Sequence, residues 1–343
     1  MKVGITGATG FIGGRLLKRL LSEGHEVKCL VRDLQKGKTL EKLGAKIYEG
    51  DLSNLDSLKD FPKDCEFIYH IAAMVSDWGK KYDFYKNNVQ ATKVLLEASK
   101  KYDVKRFIFM SSSTVVWNAS FWKMHNLEDI NEVYPCPKNY NDAYNESKSN
   151  AEKLVVDFYR SDKLETVVIR PSNVWGAGDM VILPRIVNAA KKRMLIPMGS
   201  GKNIVTPCHV DNLVESIMLV TRSENAAGKV YFINDGQKIE YYQFLKDQLK
   251  AAEISWEPKF RIPYKIGYLI AMFLELIYKI IRSKKPPVLT RFAVAALSGT
   301  RSYSILRAKK DLEFETVISY SEGMKRLREW VINIGGKDAL TVD

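Results

Sequence analysis

Residues 6–13 read Thr6-Gly7-Ala8-Thr9-Gly10-Phe11-Ile12-Gly13, and their flanks decide the fold. Ahead of them is the apolar run Lys2-Val3-Gly4-Ile5-Thr6. Behind them, Arg15-Leu16-Leu17-Lys18-Arg19-Leu20-Leu21 carries apolar residues at helical spacing. In a strand–turn–helix unit, Gly7 permits the tight turn, Gly10 lets the backbone approach a pyrophosphate, and Gly13 lets the helix pack close to the strand. The helix start then offers an anion its unpaired N–H groups and the positive end of its dipole. The first glycine gap is one residue wider than in G-x-G-x-x-G, so the flanking elements carry the reading. It implies a dinucleotide turn lined by Gly7, Thr9, Gly10, Phe11, Ile12 and Gly13.

Outward from that turn, β-branched runs at 26–31, 46–49, 66–71, 106–110 and 166–170 alternate with helical patterns at 11–22, 84–102 and 143–159. Alternation of this kind predicts an α/β fold, a doubly wound parallel Rossmann sheet covered on both faces. After about residue 171 the pattern loosens. The expected division is a nucleotide-binding domain at 1–171 and a smaller substrate-binding lobe at 172–343, with a segment at about 205–235 returning to the sheet.

The second strand runs into Arg32-Asp33. An acid near this strand end would accept the ribose hydroxyls of NAD, and an arginine there accommodates the extra phosphate of NADP. Asp33 follows Arg32 and falls in the turn, so the reading inclines to NADP with NAD left open. Further on, Asp51-Leu52 follows the third strand, where a carboxylate can meet the adenine amine. Ala72-Ala73 supplies the small side chains that a cofactor lying across the strand ends requires.

A tyrosine and a lysine stand four apart at Tyr82/Lys86, Tyr134/Lys138, Tyr144/Lys148, Tyr159/Lys163 and Tyr242/Lys246. Position separates them. Prolines follow Tyr134, Tyr159 sits at a helix end, Tyr242 lies far out in the lobe, and Tyr82 precedes the fifth strand without a polar strand beside it. Only Tyr144 opens a long helical run after a strand that ends in hydroxyls, Met110-Ser111-Ser112-Ser113-Thr114. Ligands of open parallel sheets bind at the carboxyl ends of strands, so Ser111 and Ser112 are expected at the cofactor crevice. One helical turn puts Tyr144 and Lys148 on one face. A phenol with a pKa near 10 is a poor acid or base at neutrality; a neighbouring ammonium is expected to lower it into the working range. Tyr144 would exchange a proton with the substrate oxygen, a serine would hold that oxygen, and Lys148 would also bond the nicotinamide ribose.

With these motifs the chain resembles the extended short-chain dehydrogenase/reductase family over nearly its whole length. Further carriers are Asn88 in Asn87-Asn88-Val89-Gln90-Ala91-Thr92, Arg170-Pro171-Ser172-Asn173-Val174-Trp175-Gly176, and His209-Val210-Asp211. Counted back from Val116-Trp117, the resemblance puts Ser113 at the catalytic serine position, with Ser112 as the fallback. It also implies that Pro171 and Val174 flank the nicotinamide. For Asn88, cofactor contact and a tie between neighbouring loops both stay open. His209 reads as a structural histidine at a helix start.

The stretch Asn203-Ile204-Val205-Thr206-Pro207-Cys208 lacks the arginine with which nucleotide-sugar epimerases hold a diphosphate. The apolar lobe, and Arg301-Ser302-Tyr303-Ser304-Ile305-Leu306 within it, is similar to the branch holding 3β-hydroxysteroid dehydrogenases and dihydroflavonol reductases. The resemblance therefore implies NADP(H)-dependent hydride transfer at a secondary alcohol or ketone of a steroid-, flavonoid- or lipid-like substrate. The alternatives are a nucleotide-sugar epimerase or dehydratase holding NAD and, from another class, a non-catalytic NADP sensor. The sensor would show loss of Tyr144 or Lys148, and both are present.

Composition narrows the rest. With 343 residues, 46% of them hydrophobic, the chain can fill a substantial core. Cys29, Cys65, Cys136 and Cys208 show no Cys-x-x-Cys spacing, which argues against a disulfide framework or a zinc site, and no metal is expected. The net charge of +13 is spread along the chain and not gathered in a stripe, so no nucleic acid partner is expected. The chain reads as a strand from its first residues, and a cytoplasmic protein is expected. Within 262–285 the apolar stretch Ile266 to Ile281 is shorter than the roughly 20 residues needed to span a bilayer and includes Glu275 and Lys279, yet Arg282, Lys284 and Lys285 follow it, so peripheral membrane contact through 262–285 is a further expectation. The helices at 84–102 and 143–159 lead us to expect a homodimer through a four-helix contact.

Overall fold

The computed structural model describes all residues except 119, 123, 125, 163 and 341–343. Its first half repeats strand and helix. The order is β1 (Lys2–Thr6), α1 (Phe11–Ser22), β2 (Glu26–Val31), α2 (Leu34–Glu41), β3 (Lys46–Glu49), β4 (Phe67–His70) and α3 (Lys81–Phe84). A π-helical turn at Tyr85–Gln90 joins α3 to α4 (Ala91–Lys101), and β5 (Arg106–Met110) follows. Then come β6 (Leu127–Ile130), α5 (Ala143–Asp162), β7 (Glu165–Pro171), β8 (Val174–Trp175), α6 (Leu183–Lys191), β9 (Ile204–Val205), β10 (Cys208–His209), α7 (Val210–Arg222) and β11 (Val230–Ile233). The chain finishes with β12 (Ile239–Glu240), α8 (Tyr241–Ala251), α9 (Tyr264–Ile280), α10 (Arg291–Ser298), β13 (Arg301–Tyr303), α11 (Leu306–Leu312) and α12 (Tyr320–Asn333).

Seven strands form the main sheet in the order β11-β7-β5-β4-β1-β2-β3, and every pairing in it is parallel. β4 and β5 are buried at every position because helices cover both faces. Leu16, Leu17 and Leu20 of α1 pack with Leu213 and Ile217 of α7 on one face, and Leu95 of α4 with Ala151 and Val155 of α5 on the other. The strand order reverses between β1 and β4, and at such a switch point the crevice opens beyond the carboxyl ends.

The lobe is interleaved with the sheet domain in both directions. β11 pairs with β7 in the main sheet. Ile305, Ala308, Leu312 and Phe314, which lie in the stretch assigned to the lobe, pack into the first-face core. Conversely β6, inside 1–171, joins the lobe's sheet of order β12-β9-β13-β6. Burial decides both exchanges: α11 covers β11, and β6 finds its only partner in β13 among the described residues.

Candidate functional site

The loop after β1 and the loop after β4 touch at the switch point. Gly7 has φ +82°, and a Cβ there would lie 2.8 Å from the Ala72 nitrogen. A Cβ on Gly13 would lie 2.2 Å from the Gly7 carbonyl oxygen, so α1 starts as close to β1 as backbone allows. Gly10, the N-cap of α1, has no side chain to cap it, and the first turn carries no acid. This is an anion cradle built from backbone, and its residues fit a dinucleotide pyrophosphate.

A cavity of about 1200 Å³ extends from this cradle. Of the residues expected at the cofactor, Gly7, Thr9, Gly10, Phe11, Ile12, Gly13, Arg32, Asp51, Leu52, Ala72, Ala73, Ser111, Ser112, Tyr144, Lys148, Pro171 and Val174 all line it. Beyond β2, the Asp33 carboxylate accepts from the Gln35 and Lys36 backbone nitrogens (2.9 and 3.3 Å) and so caps α2. Arg32 is 79% exposed in its side chain and lies 3.8 Å from Asp51. Lys36, which the sequence reading passed over, lines the cavity with it. Its signal was available, since Lys36 lies in the first turn of the helix that Asp33 caps.

Two expected residues fall elsewhere. Asn88 sits in the π-helical turn, accepts from the Met74 nitrogen (2.7 Å), and donates to the Met74 carbonyl (3.1 Å) and Ser147 Oγ (2.9 Å). It ties the loop after β4 to α5 and does not line the cavity. Ser113 is 2% exposed and does not line the cavity; its hydroxyl lies near the Tyr303 phenol. The chain stays extended through Ser112 (φ −154°, ψ 146°) and coils into a 3₁₀ turn at Ser113, which turns the two hydroxyls apart. Ser112, whose Oγ accepts from the Thr114 nitrogen (3.2 Å), is the serine that lines the cavity with Tyr144 and whose hydroxyl acts on its phenol.

Among the described residues, only Tyr144/Lys148 of the five tyrosine–lysine pairs lines the cavity; Lys163 lies outside the described residues. Asp142 caps α5 by accepting from the Asn145 nitrogen at 2.7 Å, which fixes the turn carrying Tyr144. The expected lowering of the phenol pKa is not found in the protein alone. Burial pushes Tyr144 up to about 12, opposed by the neighbouring Ser112 hydroxyl and assisted by Asp142. Lys148 instead donates to the Met110 carbonyl at the end of β5, with its ammonium 4.4 Å from the centre of the Phe109 ring. Burial brings Lys148 down to about 7, with Glu152 opposing the fall.

Glu152 belongs to this site although the sequence reading omitted it. Its carboxylate accepts from Ser111 Oγ at 2.5 Å and is paired with Arg170, both side chains being nearly fully buried. The signals were an acid four residues beyond Lys148, hence one turn along α5, and a charged residue, Arg170, directly after the apolar run Val167-Val168-Ile169. The far wall carried no such signal. Trp117 stacks on Phe292 at 5.8 Å, and Phe292, Ala293, Ala296 and Leu297 of α10 line the cavity. His209 caps α7 by accepting from the Asp211 nitrogen, against the edge of Trp175.

The sequence profile described as the NAD dependent epimerase/dehydratase family matches residues 3–233. The 2-alkyl-3-oxoalkanoate reductase of Shewanella oneidensis is 27% identical over 94% of this chain and 84% of its own. The 3beta-hydroxysteroid-dehydrogenase/decarboxylase isoform 1 of Arabidopsis thaliana is 30% identical over 94% of this chain and 77% of its own. Among solved structures, the UDP-glucose 4-epimerase of Thermotoga maritima has the same fold at a TM-score of 0.74 and 20% identity, covering 97% of this chain and 99% of that one.

Proposed function

The chain belongs to the NAD-dependent epimerase/dehydratase family, and from that premise we propose that it is an oxidoreductase transferring hydride reversibly between NADP(H) and a secondary alcohol or ketone on a bulky apolar molecule. One observation carries the reading. A single cavity joins a backbone pyrophosphate cradle, the side chains of Ser112, Tyr144 and Lys148, and an apolar wall of Trp117 and α10. The names of the relatives, reductases and dehydrogenases of alkyl and steroid compounds, support the same substrate class.

The nicotinamide, when bound, supplies or accepts the hydride. Tyr144 stays protonated at neutral pH with its pKa near 12, so it is ready to give a proton to a ketone oxygen during reduction. Ser112 offers a hydroxyl to the same oxygen and stabilises the charge that develops there. Lys148 is held at the end of β5 by the Met110 carbonyl, where it would bond the nicotinamide ribose. Arg32 and Lys36 provide two cations beyond β2 for a 2′-phosphate, while Asp33 is engaged in capping α2, and this supports NADP over NAD.

A nucleotide-sugar substrate has one observation in its favour, Arg185 in the cavity wall, which could meet a diphosphate. A panel of apolar ketones and UDP-sugars, assayed with NADPH and NADH, separates the readings. Apolar ketones should be reduced with NADPH preferred, and Tyr144→Phe should lower kcat by about 10²–10⁴ while cofactor binding, followed by fluorescence, persists. Turnover of UDP-sugars with none of the ketones would overturn the assignment.

A further inference from the structure

Helix α9 packs Gly267, Tyr268, Ala271 and Glu275 inward, against Met198, Val294 and Arg291. On its other side Ile266, Leu269, Ile270, Phe273, Leu276 and Ile280 are all exposed, Phe273 to 62%. These positions recur at three- and four-residue spacing and form one stripe along the helix. Exposed apolar stripes of this size mark interaction surfaces. The one acid of α9, Glu275, is turned inward and paired with Arg291. Around the stripe stand Lys265, Lys279, Arg282, Lys284 and Lys285, all exposed and none in an ion pair among the described residues. No helix of the described residues is long and apolar enough to cross a membrane.

We infer that this face of α9 docks on an anionic lipid bilayer, lying in the interface with its apolar stripe among the acyl chains and the basic residues at the headgroups. Charge complementarity selects this occupant. A second copy of the chain would bring one basic rim against another without an exposed acid from α9 to offset it, whereas a negative lipid surface meets both the stripe and the rim. The chain leads from this helix to the cavity. The segment after α9 leads to Val288, 70% exposed and lining the cavity, and then to Phe292 and Ala293. If the cavity holds the proposed apolar substrate, docking sets its rim at the bilayer. The lipid contact itself does not depend on that reading.

The test is cosedimentation of the full chain with vesicles of phosphatidylcholine alone and of phosphatidylcholine with phosphatidylglycerol, at low and high salt. Binding to the anionic vesicles is expected, weakening as salt screens the charges. Replacing Arg282, Lys284 and Lys285 together by alanine should weaken it roughly 100-fold, about fivefold for each basic residue. Phe273→Glu with Ile280→Glu should abolish it. Circular dichroism and thermal unfolding, which need no turnover, verify that these surface variants fold. Three results would overturn the inference: no binding to anionic vesicles, binding unchanged by the glutamate pair, or a dimer that the glutamate pair dissociates in a protein that binds neither vesicle.

Discussion

Two adjacent hydroxyls beyond β5 meet different neighbours, Ser112 the phenol of Tyr144 and Ser113 the phenol of Tyr303. Ser112→Ala should lower kcat by about 10²–10³, the usual cost of removing one donor to a developing oxyanion. Ser113→Ala should leave kcat nearly unchanged, because Ser113 is buried outside the cavity, and lower stability by no more than about 1 kcal/mol for the lost polar contact, read by denaturant titration. The reverse pattern would return the catalytic assignment to Ser113. A second residue-scale expectation concerns Arg32 and Lys36. Replacing both by alanine should raise KM for NADPH about tenfold or more, because charge-assisted bonds to phosphate are among the strong ones, while KM for NADH moves little. Equal changes for both cofactors would remove the 2′-phosphate assignment.

Elements hold these residues through contacts that substitution can probe. The closeness of α1 to β1 makes Gly13→Ala severe, since its Cβ would meet backbone at 2.2 Å and not a side chain that can turn aside. Loss of cofactor binding, measured by NADPH fluorescence, is expected with a lowered Tm. At the end of β4, His70 is fully buried between Thr6 and Thr92. The Thr92 hydroxyl donates to the Asn88 carbonyl (2.6 Å), so it accepts from His70 Nε2–H, and Nδ1 accepts from the Thr6 hydroxyl. Burial, with the nearby Lys148 charge, brings His70 down to about 3 from 6.5. Between those values the unfolded chain binds a proton that the folded chain does not, so this residue's contribution to stability falls as pH drops from about 6.5 toward 3. In urea titrations across that window, His70→Gln should show a shallower loss of stability than the parent protein; parallel slopes would contradict the buried neutral imidazole.

At the scale of the whole molecule, the cavity exists because distant segments close over the sheet ends: Trp117 after β5, Ile182 and Ile186 near α6, Phe244 of α8, and Phe292 of α10. A cavity of about 1200 Å³ with such walls should reward longer apolar substrates. Along a homologous series of ketones, kcat/KM should rise roughly fourfold per added methylene, from about 0.8 kcal/mol each, until the space is filled. A flat series would place the alkyl chain in solvent. The sequence by itself determined the parallel α/β sheet, the glycine cradle and the Tyr144/Lys148 pair, because each depends on spacing within one strand–turn–helix unit or one helical turn. Glu152 and Lys36 were legible for the same reason. Only the tertiary structure decided that Ser112 and not Ser113 meets Tyr144, that Asn88 braces a loop, that 305–314 returns to the core, and that α9 leaves an apolar stripe outward. These depend on where the chain leaves its extended path and on which surfaces find partners far along the sequence, and neither is written in local periodicity.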